Sequence, residues 1–424
     1  MMRMRVGGIL LDQEGRGTER GFWNGAIPST CVVPLQQHRG SQIKPMVSVG
    51  DTVREGMLIA DGDLRLSVPV HAPIPGTVEA IGPIRLVDNS ESLAISIALS
   101  GEFDRLGKRW KAQSWDSLDA VTLRDIVRNA GIVTNGRTAL PAYQYLDFSQ
   151  GSSPVVLVLD LAEMEPFLTA DYELARELPQ EVVQGMQIMT RITGAVQTHV
   201  ICASSFRDTL AAITHAAPED YRFHTVHSRY PANLESDFLQ IVTTSSGIDP
   251  GELTICPVSP GTAYAVYEAV VLGKAYLDRV ITVAGGAVAR PAHVRVRFGT
   301  SIADVLEECG GLTATPARII AGGPFSGRSV ENVYAPVSKT TTALLALTAS
   351  EVHDEVERPC ISCGACSRAC PVSLEPQMLY EMVRQGNTEA ARAAGIDRCV
   401  ECGLCSHVCP SRIPLVGAMQ EGKS

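Results

Sequence analysis

"CISCGACSRACP" occupies Cys360–Pro371, and "CVECGLCSHVCP" occupies Cys399–Pro410. Eight of the twelve cysteines in the chain fall in these two copies. Each copy reads C-x2-C-x2-C-x3-C-P, the spacing that wraps a cubane iron–sulfur cluster. The first three cysteines sit on a tight loop, where a glycine (Gly364, Gly403) lets the backbone fold around the cluster. The fourth is set one residue further on and is followed by proline, which turns the chain away. Where two such motifs share a domain, the fourth thiolate ligates the other cluster. The spacing therefore assigns Cys360, Cys363, Cys366 and Cys409 to one [4Fe–4S] centre. Cys399, Cys402, Cys405 and Cys370 form the second set. Structural zinc takes two separated C-x2-4-C pairs, which leaves the third cysteine and the Cys-Pro unexplained. Disulfides need an oxidising compartment, and nothing in the chain indicates export.

Outside the motifs, a chain of 424 residues with 45% hydrophobic content, 37 glycines and 25 prolines reads as two to four turn-rich globular domains. A net charge of −10 disfavours nucleic acid or an anionic membrane surface as principal partner. No stretch of eighteen apolar residues exists, so no segment spans a bilayer. The start, "MMRMRVGGILLDQEG", has an apolar run too short for a signal peptide before Asp12. These features predict a soluble protein of the reducing cytoplasm. Cys31, Cys202, Cys256 and Cys309 are scattered singly in apolar or mixed segments and read as buried thiols.

Residues 30–100 read as short strands and turns. "VSVGDTVREGMLIA" (Val47 to Ala60) and "VHAPIPGTVEAIG" (Val70 to Gly82) place apolar residues around glycine turns. Such pairing resembles the lipoyl/biotinyl barrel-sandwich fold. The tip between the halves offers Arg65 and no lysine, and a guanidinium cannot form an acyl amide. A scaffold without a swinging arm is expected.

From about 120 to 275, strand runs alternate with helical patterns, as in an α/β layer. "PVVLVLDLA" (Pro154 to Ala162) and "VQTHVICAS" read as strands. "DYELARELPQEVVQGMQIMTRITG" (Asp171 to Gly194) reads as helix, with Pro179 a break or a second start. "YAVYEAVVLGK" (Tyr264 to Lys274) is a helix closed by Gly273. β character returns over 276–335, with a helix from Ile302 to Cys309 capped by the preceding Gly299-Thr300-Ser301 turn. Between the cysteine motifs, Gly386 and Asn387 divide two short helices.

In this order, the pieces resemble a family. "GGI" at Gly7, "VVPLQQHRG" (Val32 to Gly40), "VSVGDTV", "VHAPIPGTV", "EAVVLGKAYLDRVITVAGG", "IIAGGPFSG" (Ile319 to Gly327) and "CPSRIPLV" are similar to the RnfC subunit of the Rnf electron-transport complex. That subunit is itself related to the NADH-binding flavoprotein subunit of respiratory complex I. The resemblance implies a multidomain α/β and β chain. Its parts would be a barrel-sandwich hybrid over 1–110, a Rossmann-like flavin-type domain over 111–275, a soluble-ligand-binding β-grasp (SLBB) domain over 276–345 and a helical two-cluster ferredoxin domain over 346–424.

It also implies a role: an electron-transfer subunit on the cytoplasmic face of the inner membrane. Electrons would pass through two [4Fe–4S] clusters between a soluble donor or acceptor (NADH, ferredoxin or a flavoprotein) and membrane subunits. Partners would be the integral and other subunits of an Rnf-type complex, with no nucleic acid and no direct span. No catalytic residue is assigned, since the chain reads as one subunit of an oxidoreductase. The alternatives are a soluble RnfC-like reductase, for example in cobalamin reduction, and a non-catalytic adaptor with structural clusters.

Family members bind FMN on a loop reading approximately G-[IL]-x-G-x-G-G-A-x-F-P-T-x-x-K. The matching stretch is "GIVTNGRTALPAYQYL" (Gly131 to Leu146), in which Gly131, Gly136 and Pro141 agree. Thr134 and Arg137 stand at glycine positions, Leu140 at the phenylalanine and Tyr145 at the lysine. The acidic motif N-G-A-E-x-E-P-Y appears as "DLAEMEPF" (Asp160 to Phe167), with Glu163 and Glu165 in place and Asp160 for asparagine. The resemblance thus nominates Gly131, Gly136, Arg137, Glu163 and Glu165 for a possible FMN, with Arg137 offering a bidentate phosphate contact. The departures fall where a phosphate needs glycine, lysine and an amide donor, so weak or absent FMN is predicted. "AGGPFSG" (Ala321 to Gly327) lacks a following Lys-Ser/Thr and reads as a tight turn.

Overall fold

The computed structural model describes residues 7–11, 20–38, 40, 43–62, 66–104, 106, 112–134, 139–151, 153–247, 249–352 and 356–423. A buried apolar run organises its middle. Val155–Leu161 is inaccessible at nearly every position, as a strand covered on both faces must be. Gln197–Ala203 and then Arg222–Val226 lie on one side of it and Thr254–Val258 on the other, all parallel. In chain order this is 3-2-1-4, the first half of a doubly wound sheet. Its crevice opens at the carboxyl ends of the first and fourth strands.

The helices Pro179–Thr193 and Pro260–Leu272 pack together beside this sheet. Gly185 permits the contact, because a Cβ there would fall 1.9 Å from the carbonyl oxygen of Ala263. Pro179 does start a second helix, at its first position after Ala170–Glu177, where the missing N–H costs nothing.

Two smaller β units flank this layer. In the first, Thr30–Pro34, Glu91–Leu99, Gly76–Arg85 and Thr52–Val53 form one sheet, while Ile43–Pro45, Leu58–Gly62 and Val70–His71 form another. Ile59, Ile74, Ile95 and Ile97 fill the space they enclose. Arg65 lies outside the described residues. The second unit is a six-stranded mixed sheet centred on Asp278–Ala284, Ala343–Leu347 and Ala292–Arg297. Its helix Ile302–Glu308 is capped by Ser301, whose Oγ accepts from the Asp304 N–H at 3.0 Å. The strand Trp23–Asn24 joins this sheet alongside Ala292–Arg297, although it lies far upstream in sequence.

Lys339 ties three segments into one frame. Its Nζ donates to the carbonyls of Pro69 (2.9 Å) and Gly131 (2.7 Å), and its N–H donates to Gln37 Oε1 (2.9 Å). Its side chain is sealed from solvent, and burial lowers the amine to about 7. Arg297 adds an ion pair to the buried Glu55 at 2.8 Å.

Candidate cluster centres and the flavin-type edge

The two cysteine motifs fold the same way. Ser362 and Glu401 occupy matching places with φ of 54° and 52°, Gly364 and Gly403 follow at 67° and 78°, and Ser373 and Arg412 close each copy at 53° and 54°. Positive φ in a serine, a glutamate and an arginine costs on the order of 1 kcal/mol each. The same strain at equivalent positions of both copies marks a backbone shaped for a ligand. Each loop turns its N–H groups inward: Ser362 N donates to Cys360 Sγ and Glu401 N to Cys399 Sγ, both at 3.4 Å. Leu374 N donates to Cys370 Sγ at 3.3 Å. Hydrogen bonds to sulfur tune the potential of the cluster that the sulfur holds.

Cys399, Cys402 and Cys405 line one cavity, and the fourth cysteine on its wall is Cys370, from the other motif. Apolar Leu374, Val400, Val416 and Met419 complete the lining. Burial, then the neighbouring Cys402, Cys399 and Cys370 sulfurs, push the Cys405 thiol up to about 12. The first motif is more open. Cys360 and Cys363 are exposed, Cys366 is half-buried and Cys409 buried. Arg358 N donates to Ser411 O (2.9 Å) and Ser411 Oγ to Pro359 O (3.0 Å), which lays the segment after Cys409 beside Cys360. Among the described residues, no group of three His, Cys, Asp or Glu closes tightly enough to chelate a single ion. Cubane ligands stand further apart, one at each iron. The four-cysteine cavity fits a cubane in donor type, number and apolar lining.

The acidic motif lies at the carboxyl end of Val155–Leu161, where the crevice of the parallel sheet opens. Its polar atoms are engaged within the protein. Asp160 accepts from Ala162 N (2.8 Å) and from Asn233 Nδ2 (3.1 Å), which also donates to Glu163 (3.2 Å). Glu163 accepts from Glu165 N at 2.7 Å. Glu165 Oε1 receives the N–H groups of Phe325 (2.6 Å) and Ser326 (2.7 Å), so its carboxylate fills the "AGGPFSG" turn. Tyr145, at the lysine position, donates its hydroxyl to Pro257 O at 2.6 Å. Gly131 presses on the neighbouring β unit, where a Cβ would meet Pro69 O at 2.4 Å. Thr134 staples its own loop, with N–H to Leu140 O (2.9 Å) and Oγ1 accepting from Leu140 N (3.1 Å). Gly136 and Arg137 lie outside the described residues. Among the described residues of this edge, Tyr145 supplies no cation at the lysine position and Asp160 no amide donor at the asparagine position, so these two positions do not fit a flavin phosphate.

Burial lifts Asp160 to about 6, and burial followed by the nearby Glu165 and Asp160 lifts Glu163 to about 8. Between the ordinary glutamate value of 4.5 and about 8, the folded chain holds a proton that the unfolded chain has released. The Glu163 contribution to stability is therefore full below pH 4.5 and is lost as pH rises through 8. Some residual solvent access limits the effect to on the order of 1 kcal/mol. Denaturant unfolding at pH 5 and pH 8 should show wild type losing more stability with rising pH than Glu163→Gln, whose amide does not titrate. Equal slopes for the two proteins would exclude Glu163 as the source.

Tyr230, Phe325 and Asn233 carry contacts at these sites that sequence reasoning does not single out. Only Phe325 has a local signal, through the glycines around it.

The chain matches four family profiles: RnfC Barrel sandwich hybrid domain over residues 6–102, Nuo51 FMN-binding domain over 127–266, SLBB domain over 280–329, and 4Fe-4S dicluster domain over 357–413. It is 35% identical to the C component of the ion-translocating oxidoreductase complex of Rhodobacter capsulatus, over 94% of this chain and 78% of that one. It is 32% identical to the C component of the proton-translocating ferredoxin:NAD(+) oxidoreductase complex of Clostridium ljungdahlii, over 83% and 78% of the two chains. Among solved structures, a chain of the NAD+-reducing [NiFe]-hydrogenase in its H2-reduced state shares the fold with a TM-score of 0.50 at 14% identity, covering 72% of this chain and 60% of that one. Four domain matches in this order, and similarity to those components over most of both chains, agree with the folded units described above: the chain belongs to the RnfC family of ion-translocating oxidoreductase complexes.

Proposed function

We propose that this chain is the peripheral electron-relay subunit of an Rnf-type membrane oxidoreductase. Cys360, Cys363, Cys366 and Cys409 would hold one [4Fe–4S] centre, and Cys399, Cys402, Cys405 and Cys370 the second. The observation that carries this reading is the cavity shared by Cys370 and the three leading cysteines of the other motif. When bound, each cubane supplies one-electron redox chemistry. The protein's part is to hold the thiolates, donate N–H groups to sulfur and set how much water reaches each centre.

The two sets differ in that last respect. Cys360 and Cys363 face the surface, which suits exchange with another protein, whereas the second set is enclosed and abuts the α/β layer. With Tyr145, Asp160, Glu163 and Glu165 engaged in internal contacts among the described residues of the flavin-type edge, electrons enter and leave through protein partners: the other subunits of the complex and a soluble donor or acceptor such as ferredoxin or a flavoprotein. No helix among the described residues is long and apolar enough to cross a membrane, so attachment at the cytoplasmic face of the inner membrane rests on the integral subunits. No contact with nucleic acid is part of this reading.

Anaerobic purification should yield about eight iron and eight acid-labile sulfides per chain, as two cubanes require. In cells the chain should co-fractionate with membranes only when the integral subunits are present. Retention on membranes lacking them all, or iron near zero after anaerobic reconstitution, would remove the reading.

A further inference from the structure

The turn Ala321 to Gly327 is built around an anion, and that anion is a side chain of this protein. The successive N–H groups of Phe325 and Ser326 converge on Glu165 Oε1 at 2.6 and 2.7 Å, the arrangement of a backbone nest. Gly323 is required beside it, since a Cβ there would lie 2.1 Å from the same oxygen. The nest fixes the direction in which Phe325 points. Its ring stacks on Tyr230 (centroids 4.8 Å apart, planes at 16°) and meets the edge of His407 at 5.4 Å.

Both aromatic rings end at the second cysteine loop. The Tyr230 hydroxyl donates to the carbonyl of Cys402 at 3.0 Å. Phe325 lies on Gly403 so closely that a Cβ would come within 2.9 Å of Phe325 Cδ1. Gly403 also holds the left-handed φ of 78° that opens the loop around its sulfurs. One cysteine-bearing turn is thus held by a hydrogen bond on its carbonyl and a ring on its glycine. In the first motif the equivalent carbonyl, that of Cys363, accepts from Arg368 Nη1 at 3.0 Å and Gly364 meets the same side chain, so a local arginine stands where the second motif has two aromatic rings from distant segments.

We propose that Phe325, held by Glu165 and stacked on Tyr230, is a positioning residue for the second cluster: it fixes the Cys402–Gly403 turn and keeps water from that side of the centre. This rests on the reading that Cys399, Cys402, Cys405 and Cys370 hold a cubane. Glu165, nominated by resemblance for a flavin, is on this account the anchor of a structural link from the α/β layer to the redox centre. The reduced cubane carries one more negative charge than the oxidised one, so water admitted at this face favours reduction and raises the midpoint potential.

The test is an anaerobic redox titration of the full chain followed by electron paramagnetic resonance, with the rate of iron loss to a chelator as a second readout. Phe325→Ala should raise the potential of the second centre, leave the first in place, and speed iron loss from the second about tenfold. Phe325→Leu should restore most of the wild-type behaviour, and Glu165→Ala should resemble Phe325→Ala more than Glu165→Gln does. Tyr230→Phe, which removes only a hydroxyl, serves if Phe325→Ala does not fold; it should speed iron loss from the second centre alone. Wild-type potential and chelation rate in the variants, with both clusters present, overturn the proposal. Wild-type protein with only the first-motif centre overturns the ligand reading itself, a result that the iron count distinguishes.

Discussion

Replacing Cys370 by serine is expected to halve the iron content, from about eight to about four per chain, and to remove the centre of the other motif. By position in the sequence, Cys370 belongs to "CISCGACSRACP". By position in the fold, it stands on the cavity wall with Cys399, Cys402 and Cys405. A serine hydroxyl is a hard, weakly acidic donor and a poor substitute for a thiolate on iron. The remaining three cysteines would face an apolar cavity with an incomplete ligand set. Cys409→Ser is the reciprocal experiment, and it should remove the centre of Cys360, Cys363 and Cys366. Electron paramagnetic resonance of each variant, with iron and sulfide analysis, separates the two cases. Loss of the first-motif centre in Cys370→Ser would show that each motif binds its cluster alone, and crossed ligation would be refuted.

The cysteine domain is legible in the sequence because its chemistry is local. A thiolate at fixed spacing, a glycine where φ must be positive and a proline after the fourth ligand are read directly from consecutive residues. The same holds for Pro179 at the start of a helix and for Ser301 as a cap. Long-range pairings leave no such mark. Glu165 bonds to the turn at Phe325 across 160 residues of sequence, and no property of "DLAEMEPF" announces it. "AGGPFSG" is readable as a turn, but its glycines are explained by the carboxylate and ring that pack on them. Trp23–Asn24 is too short to show any periodicity, and its place beside Ala292–Arg297 is set by the sheet that receives it. Nothing around Lys339 in the sequence marks it out, and its burial among carbonyls from two other segments arises only on folding.

Protein purified gently is expected to carry little FMN, and NADH should bleach its clusters slowly while a low-potential donor reduces them. Two departures from the flavin motif, and one residue that the motif keeps, have a physical consequence in the fold. Tyr145 replaces a phosphate-binding cation and is tied to Pro257 O. Asp160 replaces an amide donor with an acceptor and holds Asn233 instead. Glu165 is committed to the nest at Phe325 and Ser326. Losing one charge-assisted contact to a phosphate costs on the order of 2 kcal/mol, about thirtyfold in affinity, and two are missing before any repulsion from Asp160 is counted. By mass action this lowers occupancy at any given flavin concentration. Asp160→Asn should strengthen FMN binding in equilibrium dialysis, by removing a negative charge and restoring a donor, without altering iron content. Stoichiometric FMN in the wild-type protein, together with rapid anaerobic reduction of the clusters by NADH, would contradict this expectation. Arg137→Ala would then be the variant to make, since Arg137 is the cation that the loop sequence still offers to a phosphate.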